Sequence, residues 1–364
     1  MSDICRILHV VTYMGRGGLE TMLMNYYRHI DRNKIQFDFL THRSFKADYD
    51  DEILSLGGRI FHVSRLNPFS YKYKAELKSF FAEHAEYSII HVHQDCMSSV
   101  ILKVAKECGV KIRIAHSHSN FQDLNFKLFI KLFYKRKIVR YATHLMACSK
   151  SAGDWMFGKS SFQILNNAID AHKYTYNIIT RKRKREEFGI DEKTLVVGHV
   201  GRFSPPKNHS FIIDVFNELR KKNSNSKLLL VGDGEGRSLI EKKIKQLELQ
   251  EHVLLLGKRT DVNEIMQAMD VFLFPSTYEG LGIVVIEAQA SGMPCLISDK
   301  VANECKITNL VYRLRLKDDI SVWVRNILRL SSIPRLDTYD EIMNNGFDIK
   351  QNVEFLQNFY LCLH

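Results

Sequence analysis

The segment PSTYEGLGIVVIEAQASGMP, residues 275–294, contains two glutamates, Glu279 and Glu287, that are eight positions apart. In one continuous helix they would be separated by about 12 Å along the axis. Glycoside hydrolysis uses carboxylates only about 5 to 9.5 Å apart. Gly280 and Gly282 predict instead that the helix begins near residue 282. Glu279 is then expected in the preceding loop and Glu287 on the second helical turn, so the two are not a bond-cleaving pair.

The same segment predicts an anion site. The N–H groups of Leu281, Gly282 and Ile283 would lie at a helix N-terminus, where unpaired N–H groups and the helix dipole favour negative charge. Glu279 and Glu287 would place one carboxylate acceptor on each side of these donors. We therefore interpret the interval between the two glutamates as an anion-binding cradle.

A second charged motif, GRFSPPKN at residues 201–208, follows an apolar run that is typical of a buried strand. Arg202 and Lys207 are permanent cations in a loop that Pro205 and Pro206 stiffen. Arginine binds a diphosphate through its planar fork and lysine binds it as a point charge, so the two side chains suit a diphosphate ligand. The alternative interpretation is two solvated surface cations.

Two glycine-rich turns are weaker signals. GRGGLE, residues 15–20, opens a helix after the first strand, and its glycines would let backbone N–H groups approach an anion closely. Its spacing matches neither the dinucleotide-binding fingerprint nor a P-loop. VGDGEGR, residues 231–237, has arginine where the fingerprint needs its third glycine, and we interpret it as a tight turn.

Four histidines form two His-x-His pairs at predicted strand ends, His91 with His93 and His116 with His118. Spacing of two places both members of a pair on one strand face. HVHQDC approaches a metallo-hydrolase motif, but Cys96 stands where the last histidine is needed. We therefore expect polar substrate contacts here and no metal site.

Apolar runs alternate with helix-like segments along the chain, which predicts an α/β fold with parallel sheets. A polar, basic stretch from Asn166 to Thr194 interrupts this rhythm and is the candidate linker. We expect two doubly wound domains, at residues 1–168 and 169–346, with a helix at about 347–364 packing back on the first. Ligands are expected in a cleft between the domains, at the carboxyl ends of strands.

Composition favours a cytoplasmic protein. The chain has 364 residues, enough for two hydrophobic cores, and 45% of them are hydrophobic. It has no apolar run of membrane-spanning length, and we expect no signal peptide. The seven cysteines include no Cys-x-x-Cys pair and are expected to be reduced.

The net charge of +11 is concentrated in the first half, where residues 1–170 carry 24 Lys and Arg against 16 Asp and Glu. FKLFIKLFYKRKIVR, residues 126–140, has six basic residues and no acid. Lys127, Lys131 and Lys135 recur every four residues and would form a basic stripe on a helix. Such a helix suits the anionic inner face of the cell membrane. The alternative is a packed helix whose lysines are simply solvated.

Taken together, GRFSPPKN, PSTYEGLGIVVIEAQASGMP, GRGGLE and HSHS (residues 116–119) resemble the motifs of retaining glycosyltransferases of family 4. The spacing of Glu279 and Glu287 is the most specific element, and the resemblance covers nearly the whole chain. The second half is most similar to enzymes of capsular or exopolysaccharide synthesis. The resemblance implies the GT-B fold, in which two Rossmann-like domains face each other across a cleft.

The resemblance also implies roles for individual residues of the donor domain, residues 169–346. Glu287 would hold ribose hydroxyls and Glu279 the hydroxyls of the donor sugar. Arg202 and Lys207 would hold the diphosphate with the amides of Leu281, Gly282 and Ile283, and Arg259 would contact the base.

In the first, acceptor-binding domain, the resemblance implies that His116 lies near the transferred sugar, with His118 as the alternative. Gly17 and Gly18 would shape a loop facing donor and acceptor. The implied reaction moves a sugar, with retention, from a nucleoside diphosphate sugar to a hydroxyl of a glycan or lipid-linked oligosaccharide. A UDP-sugar is favoured, and neither a metal nor another cofactor is implied.

Two other classes of protein fit parts of the sequence. A nicotinamide-dependent oxidoreductase would use the glycine-rich turns, but it lacks a complete fingerprint and the acidic residue about 20 positions further on. A nucleic-acid-binding protein would fit the isoelectric point of about 9.2. Neither alternative explains Glu279 and Glu287.

Overall fold

The computed structural model describes residues 4–118 and 128–364. The chain divides into two compact units, one formed by Met1–Ile169 with Gly346–His364 and the other by Asp170–Asn345. The sequence prediction placed these boundaries after residues 168 and 346. Among the helices in the described ranges, none is long and apolar enough to cross a bilayer.

A parallel sheet forms the centre of the first unit. Its strands in the described residues are β1 (Cys5–Val11), β2 (Ile35–Thr41), β3 (Ile60–His62), β4 (Ile89–Val92), β5 (Ile112–Ser117), β6 (His144–Ala147) and β7 (Gln163–Ile164). They pair in the order β3-β2-β1-β4-β5-β6-β7. The strand order diverges between β1 and β4, which is the topological switch point of this sheet.

Helices cover both faces of this sheet, so its central strands are buried on both sides. They are α1 (Gly18–His29), α2 (Asp50–Ser55), α3 (Tyr71–Glu83), α4 (Ser98–Glu107), α5 (Leu128–Lys135), α6 (Ile138–Tyr141), α7 (Lys150–Phe157) and the C-terminal helix Ile349–Leu363. A 3₁₀ helix, Asp95–Met97, precedes α4.

The C-terminal helix packs in the core of the first unit. Its buried residues Val353, Leu356 and Tyr360 lie in one hydrophobic cluster with residues of β1, β2 and α1. Hydrogen bonds from Ile169 N–H to the carbonyl oxygen of Phe347 and from Ile349 N–H back to that of Ile169, both 2.9 Å, fix the chain just before this helix.

The second unit has a parallel sheet of the same kind. Its strands are β8 (Leu195–Val200), β9 (Ser226–Val231), β10 (Val253–Gly257), β11 (Val271–Phe274), β12 (Cys295–Ser298) and β13 (Val311–Leu314), in the order β10-β9-β8-β11-β12-β13. The switch point lies between β8 and β11. Its helices are α8 (Ala171–Tyr174), α9 (Ile178–Glu187), α10 (His209–Lys222), α11 (Arg237–Gln246), α12 (Val262–Ala268), α13 (Ile283–Ala290), α14 (Ile320–Leu330) and α15 (Tyr339–Asn344).

The stretch from Asn166 to Thr194 was predicted to be a linker, but it contains two helices instead. Most of this stretch belongs to the second unit as α8 and α9. Arg185 on α9 is only 1% exposed and donates hydrogen bonds to the backbone oxygens of Ala268 and Asp191 at 3.0 and 2.7 Å. Because these bonds offset the cost of burying a guanidinium, a segment with the composition of a linker packs into the domain.

The basic segment 126–140 also differs from its prediction. Residues 126 and 127 lie outside the described residues, and 128–140 form two short helices, α5 and α6, rather than one. Lys135 is half-buried, with its ammonium group 4.2 Å from the ring centroid of Trp155. Phe129 and Phe133 are instead 78% and 55% exposed. The aromatic side chains, rather than the lysine stripe, therefore dominate the exposed face of α5.

Candidate active site

Two loops of the second unit meet at its switch point. One follows β8 and ends in a 3₁₀ helix, Pro205–Lys207, and the other follows β11. Lys207 Nζ in the first loop lies 2.5 Å from Glu279 Oε1 in the second, and both side chains are largely buried. Ligands of doubly wound sheets bind at this position, so the ion pair marks the candidate site.

Backbone contacts hold these two loops together. Thr277 N–H donates to the carbonyl oxygen of Pro206 at 2.8 Å, and the side-chain amide Nδ2 of Asn208 donates to the carbonyl oxygen of Pro275 at 3.2 Å. Asn208 has a left-handed conformation with φ of 56°, which ends the 3₁₀ helix and starts α10. Lys207 is therefore held beside the β11 loop by the backbone as well as by its charge.

The predicted helix start after Glu279 is confirmed. The helix α13 spans Ile283–Ala290, and Gly282 immediately before it has φ of 73°, a left-handed conformation that glycine adopts without strain. Glu279 lies in the loop and Glu287 on the second turn. The N–H groups at the start of α13 have no acceptor within the helix itself, as at every helix N-terminus.

Glu287 is buried, with 8% of its surface exposed. Burial raises the pKa of its carboxyl group to about 7, and a hydrogen bond from Tyr174 opposes part of this rise. Tyr174 lies at the end of α8, in the stretch expected to be a linker. No sequence pattern assigns Tyr174 to the site, because α8 and α13 are more than 100 residues apart in the chain.

Arg202 is not part of the Lys207–Glu279 pair. It is exposed and forms an ion pair with Glu235 at 3.0 Å. Glu235 belongs to the glycine-rich turn VGDGEGR that follows β9. Two cations, Arg202 and Lys207, were predicted to bind a diphosphate. The structure places only Lys207 next to a predicted acid, Glu279.

Arg259 is also paired with acids. Its guanidinium lies 2.7 Å from Asp261 and 3.3 Å from Glu187, and Lys184 lies 2.5 Å from the same Asp261. The Arg259 guanidinium, with further help from Lys184, holds the pKa of the Asp261 carboxyl far below its usual range. Arg259 is thus fixed in a charged cluster at the start of α12.

In the first unit, the glycine-rich turn GRGGLE contains a partly buried acid, Glu20, that the motif alone does not assign to a site. Gly17 caps α1 and Gly18 is its first residue. The carboxyl group of Glu20 accepts hydrogen bonds from the N–H groups of Gly17 and of Glu20 itself, and burial raises its pKa to about 7. A Cβ atom on Gly17 would lie 2.3 Å from Glu20 Oε2. The helix N-terminus predicted to attract a ligand anion is occupied here by its own glutamate.

The histidines predicted to share strand faces do so, and His9 from β1 joins them. His9 Nδ1 lies 3.1 Å from His93 Nε2, His93 Nδ1 lies 2.8 Å from His118 Nε2, and His91 Nε2 lies 3.1 Å from His116 Nδ1. The rings also stack, with centroids 4.4 Å apart for His91 and His93 and 4.0 Å for His116 and His118.

Burial keeps these imidazoles neutral. It lowers the pKa of His9 and of His118 to about 3, and it lowers those of His91, His93 and His116 well below the usual value, with the neighbouring rings adding to the effect. Two triplets, His9–His91–His93 and His93–His116–His118, each have three ring nitrogens within 4.8 Å of one another, close enough for a metal ion. Several of these nitrogens already bond one another, which satisfies them without an ion.

Family comparisons agree with this architecture. A family model described as "Glycosyl transferases group 1" matches residues 180–318, and one described as "Glycosyltransferase Family 4" matches residues 16–173. Among solved structures, Anabaena Alr3699/HepE in complex with UDP and glucose aligns with a TM-score of 0.81 over 98% of this chain and 100% of its own, at 18% identity. The protein is a glycosyltransferase with the two-domain GT-B fold.

Sequence relatives narrow the class further. EpsF of Bacillus subtilis (strain 168), named as a glycosyltransferase, is 38% identical over 98% of this chain and 96% of its own. The UDP-Gal:alpha-D-GlcNAc-diphosphoundecaprenol alpha-1,3-galactosyltransferase of Escherichia coli is 25% identical over 76% of each chain. The chain belongs to glycosyltransferase family 4, as predicted from its motifs. The oxidoreductase and nucleic-acid-binding alternatives are not retained.

Glu287 gives the ligand-free protein a measurable pH dependence. Its folded pKa of about 7 lies above the ordinary value of 4.5, so the folded state binds its proton more tightly than the unfolded state does. Its contribution to the free energy of unfolding therefore falls as pH rises from about 4.5 to 7 and stays low above that. We expect Glu287→Gln to increase the free energy of unfolding more at pH 8 than at pH 5, by about 1 to 3 kcal/mol. The melting temperature should rise correspondingly more at pH 8.

Thermal melts of the ligand-free protein at the two pH values check this expectation. The matched control is Glu251→Gln, which removes an exposed glutamate of the same unit and should have the same small effect at both. An equal change in melting temperature for Glu287→Gln at pH 5 and pH 8 would contradict the raised pKa of this buried carboxyl group.

Proposed function

We propose that this glycosyltransferase moves a sugar, with retention of anomeric configuration, from a nucleoside diphosphate sugar to a hydroxyl of a glycan or lipid-linked oligosaccharide. The context would be the synthesis of cell-surface polysaccharide. The observation that carries the proposal is the Lys207–Glu279 ion pair at the switch point, next to the N-terminus of α13. It combines a cation, free helix N–H groups and a carboxylate acceptor in one place.

The donor would exchange partners with this ion pair. Its diphosphate would bind Lys207 and the N–H groups of Leu281, Gly282 and Ile283, which are the positive groups at this edge of the sheet. Glu279, released from Lys207, would then accept hydrogen bonds from hydroxyls of the donor sugar. The ion pair would thus keep both groups compensated until a donor arrives.

Glu287 would hold the ribose. Its carboxyl group is buried with Tyr174 as hydrogen-bond donor, and burial makes ionisation costly. Two ribose hydroxyls would supply further donors to the ionised form and so recover part of that cost. A buried carboxylate of this kind is better suited to a neutral hydroxyl pair than to a phosphate, which it would repel.

Arg202 would exchange its present partner, Glu235, for the donor, whereas Arg259 would keep its own partner, Asp261. The Arg202–Glu235 pair is exposed and screened by solvent, so a diphosphate can displace it at little cost. Arg259 would contact the base while remaining bound to Asp261. In the first unit, His116 would lie near the transferred sugar, and Gly17 and Gly18 would shape the loop on its acceptor side.

The largest charge in this reaction develops on the leaving diphosphate. Lys207, Arg202 and the N-terminus of α13 would stabilise it, which is why we propose a metal-independent enzyme with no other cofactor. A UDP-sugar is the favoured donor, because the Escherichia coli relative is named for UDP-Gal and the HepE structure contains UDP and glucose. The diphosphoundecaprenol in the name of the same relative supports a lipid-linked acceptor.

A thermal-shift panel of UDP, GDP, ADP and their sugars tests the donor site. A ligand at about 100 times its dissociation constant should add about 2.7 kcal/mol to the free energy of unfolding. We expect the largest shift with UDP or a UDP-sugar. Absence of a shift with every nucleotide would count against the proposed function.

The variant Lys207→Ala tests the same donor site by mutation. It should stay folded, lose the nucleotide shift and reduce sugar transfer about 100- to 1,000-fold, because it removes a cation from the developing charge. The control, Lys221→Ala, removes an exposed lysine from the neighbouring helix α10 and should behave as wild type. Turnover of Lys207→Ala at the wild-type rate would overturn the diphosphate assignment.

We further propose that the first unit contacts anionic lipid at the inner face of the cell membrane through α5 and α6. The exposed Phe129 and Phe133 would enter the headgroup region, and the exposed cations Arg136 and Arg140 would meet anionic headgroups. This surface replaces the lysine stripe expected from the sequence.

Vesicle sedimentation checks the lipid contact. The protein should bind phosphatidylglycerol vesicles more strongly than phosphatidylcholine vesicles, and the double variant Phe129→Ser/Phe133→Ser should weaken binding at least about tenfold, because two aromatic side chains no longer enter the lipid. Phe355→Ser, at an exposed phenylalanine of the C-terminal helix, is the control. Equal binding by the double variant and the control would refute this surface.

A further inference from the structure

A phenol on the C-terminal helix is connected to His116 through one other residue. The hydroxyl oxygen of Tyr360 lies 2.6 Å from His91 Nδ1, and His91 Nε2 lies 3.1 Å from His116 Nδ1. All three side chains are at most 2% exposed. They form a continuous hydrogen-bonded chain from the C-terminal helix to the end of β5.

The direction of the hydrogen bonds in this chain follows from counting donors. If the Tyr360 hydroxyl donates to His91 Nδ1, then His91 must carry its proton on Nε2 and donate it to His116 Nδ1. His116 then carries its own proton on Nε2. In the opposite direction both the phenol hydrogen and the lone pair of His116 Nε2 would be left without a partner, whereas in the first direction only the N–H of His116 is. The first direction is therefore favoured.

His116 Nε2 is the free end of the chain. It is buried and has no hydrogen-bond partner among residues 4–118 and 128–364. In the favoured direction this atom is an N–H donor, which needs an acceptor oxygen. A buried donor without a partner is rare in a protein core, and here a tyrosine and a histidine orient it. We therefore expect this donor to bind a ligand.

The second histidine chain has no such anchor. It runs from His118 through His93 to His9, and the outer nitrogens, His118 Nδ1 and His9 Nε2, have no partner within the described residues. Nothing at either end selects one direction of donation over the other. The two histidines of HSHS thus differ, since only His116 has its tautomer determined by a residue outside the cluster.

We propose that Tyr360 and His91 are positioning residues that hold His116 as the neutral tautomer with its proton on Nε2, so that His116 donates a hydrogen bond to an oxygen of the transferred sugar. This inference rests on the proposed function and deepens it, because it selects His116 over His118. It also gives the C-terminal helix a part in the sugar site besides its packing.

A neutral donor suits the reaction. Positive charge develops on the sugar as the leaving group departs, and an imidazolium ion beside it would repel that charge. Burial lowers the pKa of His116 well below its usual value, so the ring remains uncharged. A neutral N–H can hold a sugar oxygen without adding charge to the sugar.

The tautomer is measured directly by ¹⁵N-imidazole NMR of the full-length, ligand-free protein, with the His116 signals assigned from the spectrum of His116→Gln. Wild type should show the Nε2–H tautomer at His116. Tyr360→Phe keeps the ring but removes the hydroxyl, and it should give a mixture of tautomers. A His116 without a proton on Nε2 in wild type, including one that ligates a metal ion, would overturn the inference.

Kinetics then connect the tautomer to transfer. Tyr360→Phe should lower kcat about tenfold with little change in the affinity for UDP, because UDP lacks the sugar that His116 contacts. In a His116→Gln background the same substitution should have no further effect, which separates action through His116 from general destabilisation. Additive effects of the two substitutions would overturn the inference.

Tyr26→Phe is the matched control. Tyr26 is another fully buried phenol of the same core, but its hydroxyl donates to the backbone oxygen of Asn166 at 2.7 Å. It should leave both the His116 spectrum and kcat unchanged. If the spectra behave as expected while no nucleotide shifts the melting temperature, the histidine chain stands and the proposed function fails. If nucleotides bind and Tyr360→Phe changes neither tautomer nor kcat, the positioning inference fails alone.

Discussion

The ion pair between Lys207 and Glu279 is the contact on which the account of the donor site depends. It joins the loops after β8 and β11, the two adjacent strands at which the sheet of the second unit reverses its order. Because those loops are also bonded through Pro206 and Thr277, the backbone of Lys207 is held beside the loop that carries Glu279. This charged pair at the switch point is the basis of our proposal that a ligand with both a phosphate and hydroxyl groups binds there.

Local geometry was predictable from sequence where a short-range rule applied. The left-handed Gly282 starts α13 where two glycines had indicated, and this places Glu279 in a loop and Glu287 on the helix. The histidine pairs share strand faces because side chains alternate along any strand. The alternation of apolar runs with helix-like segments predicted the α/β class and the two parallel sheets, since parallel strands separated by helices have few other arrangements.

Partners distant in sequence could not be predicted in the same way. Arg202 pairs with Glu235, Glu287 accepts from Tyr174, and Tyr360 reaches His91, because the fold brings together segments 30 to 270 residues apart. The segment containing Arg185 has the composition of a linker, yet the hydrogen bonds that the Arg185 side chain donates to backbone oxygens compensate for its burial. Composition reports average polarity, whereas these contacts depend on where each donor meets its acceptor.

A crystal structure of the protein with a bound UDP-sugar tests the central claim most directly. The account predicts ribose hydroxyls within hydrogen-bond distance of the Glu287 carboxylate. It also predicts diphosphate oxygens on Lys207 and on the N–H groups of residues 281–283, with the Lys207–Glu279 pair opened. A nucleotide bound elsewhere in the second unit, with that ion pair intact and Glu287 in contact with Tyr174 alone, would contradict it.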